Sequence, residues 1–351
     1  MQAGGRDQTL QNIPVHEVSI STFSSLSVNG LGHSGDNATK ITLPRSQSFP
    51  APRFVRSYVP LPRIESWAPL SLSNNGGHLE IELTDKISEG RVGLVYSARV
   101  IHDTTRSDLP DLCVKLAKAE YSRTLAREAW FYEQLALDGC EGVISPRCFG
   151  FFTVPFKDCL DIKGQPISRV EPWENIELYT PKPDPDDSDE SDVEENTDEP
   201  YNSEGTDWWL PDDRPYLDKY FKDDDGWKSG SPWNEWRASS SDPLISVLVL
   251  EKLGKAYSSP KGQEEEELND IRDVVHDLGS TGIMHKDLRY NNIVRASTDA
   301  ICPHHQRPHR WRLVDFDMAA KTFVTPAAPA DAKYAMLQVG LIGQAYFWGW
   351  V

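Results

Sequence analysis

The sequence predicts an α+β protein, and three observations predict it. Ile87 to Tyr96 reads as strand, glycine turn, strand; Leu112 to Leu116 and Leu244 to Leu250 are aliphatic runs of strand length; Tyr121 to Leu137 and Gln263 to Gly279 carry apolar residues at helical spacing. In the first pattern Gly90 and Gly93 let backbone N–H groups approach a ligand with no side chain in the way, and Val95 follows in the returning strand. Leu112-Cys113-Val114-Lys115-Leu116 is broken by a single lysine. The next stretch repeats Leu125, Ala129, Tyr132, Leu135 and Ala136 on one face and carries Glu128. Leu244 to Leu250 runs into Glu251-Lys252-Leu253-Gly254. The last helical stretch (Leu268, Ile271, Val274, Val275, Leu278) stops on Gly279.

The chemistry-bearing residues follow that helix. His285-Lys286-Asp287-Leu288-Arg289-Tyr290-Asn291-Asn292 has the form H-x-D-L-x-x-x-N, and Val314-Asp315-Phe316-Asp317 lies a short way downstream. Phosphoryl transfer builds negative charge on a loosely bonded group, so a protein performing it supplies metal ions, cationic groups and an acceptor for the attacking hydroxyl's proton. With the glycine turn and the lysine strand upstream, the chain resembles the protein-kinase-like superfamily, and in detail the small divergent kinase-like proteins abundant in fungi. The resemblance covers roughly residues 79 to 155 and 244 to 320.

It implies a two-lobed protein-kinase-like fold holding ATP and Mg2+ between a β-rich lobe and a reduced helical lobe. Asp287 would orient or deprotonate the acceptor hydroxyl, and His285 opens the same loop. Lys115 would contact the α- and β-phosphates and pair with Glu128, while Arg289 would place a permanent cation by the transferring group. Asn292 and Asp315 would bind Mg2+, a hard cation that prefers oxygen ligands, with Asp317 as a further ligand or a capping side chain. Gly90, Gly93, Val95, Glu251 and Leu253 would line the nucleotide, the last two through the backbone that meets adenine. On this reading residues 1–75 are a disordered Ser/Pro-rich tail, 76–155 the N-lobe, 156–243 an acidic low-complexity insertion, and 244–351 the hinge and a truncated C-lobe.

Departures from the pattern widen the reading. Lys286 stands where most protein kinases have arginine, and Asp317 replaces the glycine of D-F-G, giving a D-x-D like that of aminoglycoside and choline phosphotransferases. No A-P-E follows, and few residues remain for the usual C-lobe helices. A protein Ser/Thr kinase-like enzyme is the expectation, with a small-molecule kinase and a pseudokinase scaffold as the alternatives.

Composition bounds the partners. The net charge of −18 is local, because 18 acidic residues against four basic lie between Pro181 and Gly226. No basic patch is large enough to displace counterions from a nucleic acid, so no nucleic-acid partner is expected. The acidic segment holds Trp208, Trp209, Trp227, Trp233 and Trp236, which either dock back onto the fold or bind a protein partner. Ser188 and Ser191 sit in an acidic context that suits phosphorylation. The five cysteines form no C-x-x-C pair and no secretory signal is visible, so a cytoplasmic or nuclear protein with reduced thiols is expected. The uncharged stretch Tyr334 to Val351 is read as core rather than as a membrane anchor, and no membrane partner is expected. Cys302, His304, His305 and His309 offer zinc-ligand types, but their spacing matches no closed four-ligand pattern, and a solvated loop is the expectation there.

Overall fold

The computed structural model describes residues 19–48, 68–72, 75–105, 108–161, 163–174, 243–258, 265–285 and 287–321. The frame is a mixed sheet whose spatial order departs from chain order. Its strands are β1 (Phe23–Ser34), β2 (Asn37–Pro44), β3 (Gly77–Glu89), β4 (Gly93–Asp103), β5 (Leu112–Ala117), β6 (Cys148–Pro155), β7 (Arg169–Val170) and β8 (Leu244–Glu251). They lie in the order β2-β1-β3-β4-β5-β8-β6, with β7 added to β1; β1 and β3 are parallel and the other pairs antiparallel. Two small antiparallel ribbons follow, β9 (Ile283–Met284) with β12 (Ala320–Lys321) and β10 (Ile293–Arg295) with β11 (Trp311–Leu313). The two long helices are α1 (Ser122–Leu137) and α2 (Glu265–Ser280), and a single helical turn lies at Glu171–Glu174.

The N-terminal expectation needs correction. Within the span read as a disordered tail, residues 19–48 are folded, and β1 and β2 extend the sheet beyond β3. Thr39, Ile41 and Leu43 are buried in β2 while Ala38, Lys40, Thr42 and Pro44 are exposed, the period of two that a half-buried strand requires. Phe23, Leu26, Val28 and Leu31 of β1 join Leu79, Ile81 and Leu116 in one core cluster. Short and polar residues between the apolar ones, such as Ser24, Ser25 and Asn29 in β1 and Lys40 and Thr42 in β2, masked this pattern in the composition.

The insertion also begins later than its expected start at residue 156. Arg169 and Val170 pair with His33 and Gly32, and Trp173 donates its indole N–H to the Ala117 carbonyl at 2.9 Å while its ring stacks on Phe156. Residues 156–161 and 163–174 therefore belong to the folded unit. The acidic tryptophan-bearing run, Ser188 and Ser191, Lys286, and everything after Lys321 lie outside the described residues. Among the described residues no helix is long and apolar enough to cross a membrane.

Helix α1 is buried from Ser122 through Ala136, far more than one amphipathic face would give. It packs on β6 and β8, with Leu125, Ala129 and Tyr132 in the shared core, and several polar residues inside it meet specific partners. Ser122 Oγ donates to the Leu244 carbonyl, Lys321 Nζ donates to Gln134 Oε1, and the Leu70 N–H donates to Glu133. The helix ends where Gly139 turns left-handed (φ 70°). The Cys140 N–H then reaches the Leu135 carbonyl and the Gly139 N–H that of Ala136, closing a Schellman motif. In α2, Glu265, Glu266 and Glu267 occupy the first turn, where the helix dipole favours anions.

Gly93 is required by packing. A Cβ there would collide with the Leu116 backbone carbonyl oxygen of the neighbouring strand, whereas a Cβ on Gly90 would meet nothing within 4 Å. Gly93→Ala is accordingly expected to lower stability by about 1–3 kcal/mol, read from the urea midpoint, as overpacking does. Gly90→Ala is expected to stay within about 0.5 kcal/mol of wild type.

Candidate functional site

Three segments distant in sequence meet at Lys115. Every residue of β5 is buried, and Lys115 is the one that carries a charge into that layer. Its Nζ lies 2.6 Å from Glu128 Oε2 on α1 and 2.6 Å from Asp315 Oδ1 after β11. Burial alone would lower the lysine's pKa, but the two carboxylates outweigh it and hold the ammonium above its ordinary value. In Glu128 burial wins instead, pushing it up to about 7 against the pull of Lys115.

Asp315 adopts a left-handed conformation (φ 67°, ψ 64°), uncommon for a residue with a side chain. Such a conformation costs on the order of 1–3 kcal/mol and persists where surrounding contacts fix it. Those contacts are the Lys115 ion pair on one side and Phe316 on the other. Phe316 is fully buried against Phe131, Tyr132 and the His285 ring, with centroids 6.4, 5.4 and 4.9 Å away. Next, Asp317 is held by Arg91 from the glycine turn, with Nη2 at 2.7 Å from Oδ2. Arg127 of α1 donates to the backbone carbonyls of Asp317 and Ala319. Burial would raise Asp315, yet Lys115 wins and lowers it; Asp317 is raised by burial and then by the Asp315 charge.

The loop after β9 brings Asp287 to the same place. Asn292 Nδ2 donates to the Asp287 carbonyl at 2.8 Å, and the Val314 N–H donates to the Asn292 carbonyl at 3.0 Å, so the loop is fastened to the strand that presents Asp315. The carboxylates of Asp287, Asp315 and Asp317 each offer an oxygen within 4.8 Å of the others. At an effective dielectric of about 20, two such charges repel by roughly 3 kcal/mol or more. Asp317 Oδ1 is buried and has no hydrogen-bond partner among the described residues. Crowded carboxylates with an orphaned buried oxygen fit a hard divalent cation.

Several expected residues have geometries of their own. His285 is 2 % exposed and its Nε2 donates to the Val314 carbonyl at 2.9 Å. Burial lowers its pKa, and the ring ties the loop to the strand that leads to Asp315. Arg289 is largely exposed, and its Nε lies 2.5 Å from Asp287 Oδ1. In the glycine turn the Gly90 N–H donates to the Gly93 carbonyl. Val95 is half-buried and sits in register with Lys115. The Glu251 side chain is taken up by the fold: Oε2 accepts from the Arg147 backbone N–H and Nε, and Oε1 from Ser297. Its backbone is engaged as well, the N–H donating to the Arg147 carbonyl at 2.8 Å, whereas the backbone N–H and carbonyl of Leu253 make no hydrogen bond among the described residues.

Sequence reasoning did not find Arg91 or Arg127. Arg127 carries the clearer signal, an arginine inside a predicted core helix and next to Glu128; it is fully buried, and its guanidinium holds the segment after Asp315 in place.

No family model matches the chain, and no curated protein matches it. Among solved structures it is similar to the kinase domain of PF14_0431 (11 % identity, 70 % of this chain and 52 % of that one, TM-score 0.32). It is likewise similar to the BubR1 kinase domain (11 % identity, 74 % and 51 %, TM-score 0.33). The chain spans about half the length of the kinase structures it matches. The residue geometry, and not a likeness this distant, carries the functional reading.

Proposed function

We propose that this chain is an ATP- and Mg2+-dependent phosphotransferase of the protein-kinase-like superfamily, two-lobed, acting on a hydroxyl, most simply that of a Ser or Thr. The observation that carries the reading is the buried Lys115 held at 2.6 Å by both Glu128 and Asp315. Nothing in packing alone calls for a lysine there: an ion pair in a dry layer is at best neutral for stability relative to apolar residues of the same size. Its retention is explained by a ligand whose phosphates need that cation.

Each side chain then has a task. Lys115 binds and orients the α- and β-phosphates, and Glu128 fixes the lysine's direction. Asp315, Asp317 and the Asn292 side-chain oxygen would hold Mg2+, which when bound neutralises charge between the phosphates. Asp287 accepts the proton of the attacking hydroxyl at its carboxylate, in hydrogen-bond reach of that group once the acceptor enters. Arg289 leaves Asp287 to meet the charge that develops on the transferring group. The Gly90 position is open, so backbone can approach phosphate there without obstruction.

Asp317 favours a second reading within the same chemistry. A third carboxylate in the cluster is the D-x-D arrangement of the small-molecule kinases, and phosphate incorporation into metabolites but not into protein would select it. The nucleotide itself is tested by thermal shift with ATP, Mg2+ and both. A shift needing both ligands is expected, worth about 2.7 kcal/mol at a hundredfold excess over Kd, and lost in Asp315→Ala. A folded protein showing no shift under any of the three conditions would leave the fold as a scaffold and sink the enzymatic reading.

A further inference from the structure

A second polar centre lies away from Lys115, between α2 and the loop joining β10 to β11. Asp277 of α2 is 2 % exposed, and Cys302 and His309 of the loop are each 1 % exposed; His305 completes the group at half-burial. One donor atom from each of the four lies within 4.8 Å of all the others. Cys302 Sγ is 3.1 Å from Asp277 Oδ2 and 3.5 Å from His305 Nδ1. His309 Nε2 and His305 Nδ1 lie 3.2 and 3.3 Å from that same Asp277 oxygen.

The expected solvated loop is therefore overturned. The ligand types in the loop were visible, but the fourth donor comes from a helix 25 residues upstream of Cys302, where an aspartate beside an apolar stripe gives no sign of its role. His304 is not one of the four; its Nδ1 meets the other oxygen of Asp277 at 3.0 Å and orients that carboxylate.

We propose that Asp277, Cys302, His305 and His309 form a closed structural zinc site. Zn2+ binds tetrahedrally with donors at about 2.0–2.3 Å, which places neighbouring donors about 3.3–3.7 Å apart. These four separations of 3.1–3.5 Å need adjustments of only a few tenths of an ångström. One thiolate, two imidazoles and one carboxylate are all zinc ligands, and a closed set with no position left for water is the structural kind. The outer contacts agree. The other ring nitrogen of His309, Nδ1, lies 2.9 Å from Asp270 Oδ1, the carboxylate–histidine arrangement that fixes which nitrogen faces a metal. Asp270 is itself fastened by Arg307 and by the Arg310 backbone N–H. Binding displaces the protons of Cys302 Sγ and His309 Nε2 to solvent, leaves the His309 Nδ1–H donating to Asp270, and exchanges the contacts to Asp277 Oδ2 for four bonds to one ion. The ion joins α2 to the loop between the strand that follows Asn292 and the strand that leads to Asp315.

Elemental analysis of the purified full chain, gel-filtered in a weak chelator, is the test. One zinc per chain is expected. Reconstitution with cobalt(II) is expected to give the intense visible bands of tetrahedral coordination and a near-ultraviolet thiolate-to-cobalt band. That second band should vanish in Cys302→Ser and persist in His276→Ala, which alters an exposed histidine of the same helix. Asp270→Asn is expected to weaken zinc binding about 10- to 100-fold in a chelator competition. If Cys302→Ser does not fold, the wild-type cobalt spectrum and the Asp270→Asn competition decide the matter. A folded wild-type chain that retains no zinc and gives no thiolate band with cobalt(II) would overturn the proposal and leave a hydrogen-bonded polar cluster. So would cobalt binding without that band, which would put the ion at the Asp287, Asp315 and Asp317 carboxylates instead.

Discussion

Asp287→Asn is expected to lower turnover, followed as ADP release, by about 10²- to 10⁴-fold, the range that loss of a positioned proton acceptor gives. The amide keeps the size of the carboxylate and can still accept a hydrogen bond from Arg289, so the loop around it has no reason to move. Its contact with Asn292 runs chiefly through the Asp287 backbone carbonyl at 2.8 Å, which the substitution leaves in place. The thermal shift with ATP and Mg2+ together should therefore survive. Retention of wild-type turnover would remove Asp287 from its assigned role. Loss of the ATP and Mg2+ shift along with turnover would make it a metal ligand, as its membership of the three-carboxylate cluster allows.

Lys115→Met is expected to lower stability by about 3–5 kcal/mol, the cost of removing one partner from a buried ion pair. Two carboxylates lose their shared cation, and Asp315 also loses the contact that supports its left-handed backbone. Glu128 limits the damage, because burial already pushes it up to about 7 and without Lys115 it takes a proton and stays neutral. Glu128→Gln in the Lys115→Met background is expected to cost little further and to make stability less dependent on pH. Urea midpoints at pH 6 and 8 check both statements, and a Lys115→Met protein as stable as wild type would show that the pair is not the hub of the site.

Where local pattern decided structure, the sequence was legible. The glycine turn, the lysine strand, both long helices and the aliphatic strand from Leu244 all form within a residue or two of expectation, because short-range periodicity acts locally, although α2 runs through its expected stop at Gly279 to Ser280 and the left-handed glycine beyond it is Gly282. The proximity of Lys115, Glu128 and Asp315 followed from motif order, although Glu128 and Asp315 belong to segments nearly 200 residues apart. What stayed hidden depended on tertiary partners. The β1–β2 hairpin reads as polar until β3 supplies its core, and Asp277 and Asp270 look like surface acids until the Cys302 loop folds over them. Arg91 escaped for the same reason, since nothing in its neighbours announces that it reaches Asp317, and Arg127 offered only its place beside Glu128 in a predicted core helix.

The place of β8 in the sheet has a consequence for synthesis. It is the strand that joins β5 to β6, yet it emerges after both, separated from Pro155 by the long acidic stretch. At translation rates of about 5–20 residues per second, β5 and β6 leave the ribosome on the order of ten seconds before the strand that pairs them. Their Leu112, Val114, Leu116, Phe151 and Phe152 side chains wait through that interval without their β8 neighbours. The nascent chain is thus most vulnerable to misassociation while the ribosome is reading its most soluble segment, and that segment's charge repels neighbouring nascent chains when the two edges are bare.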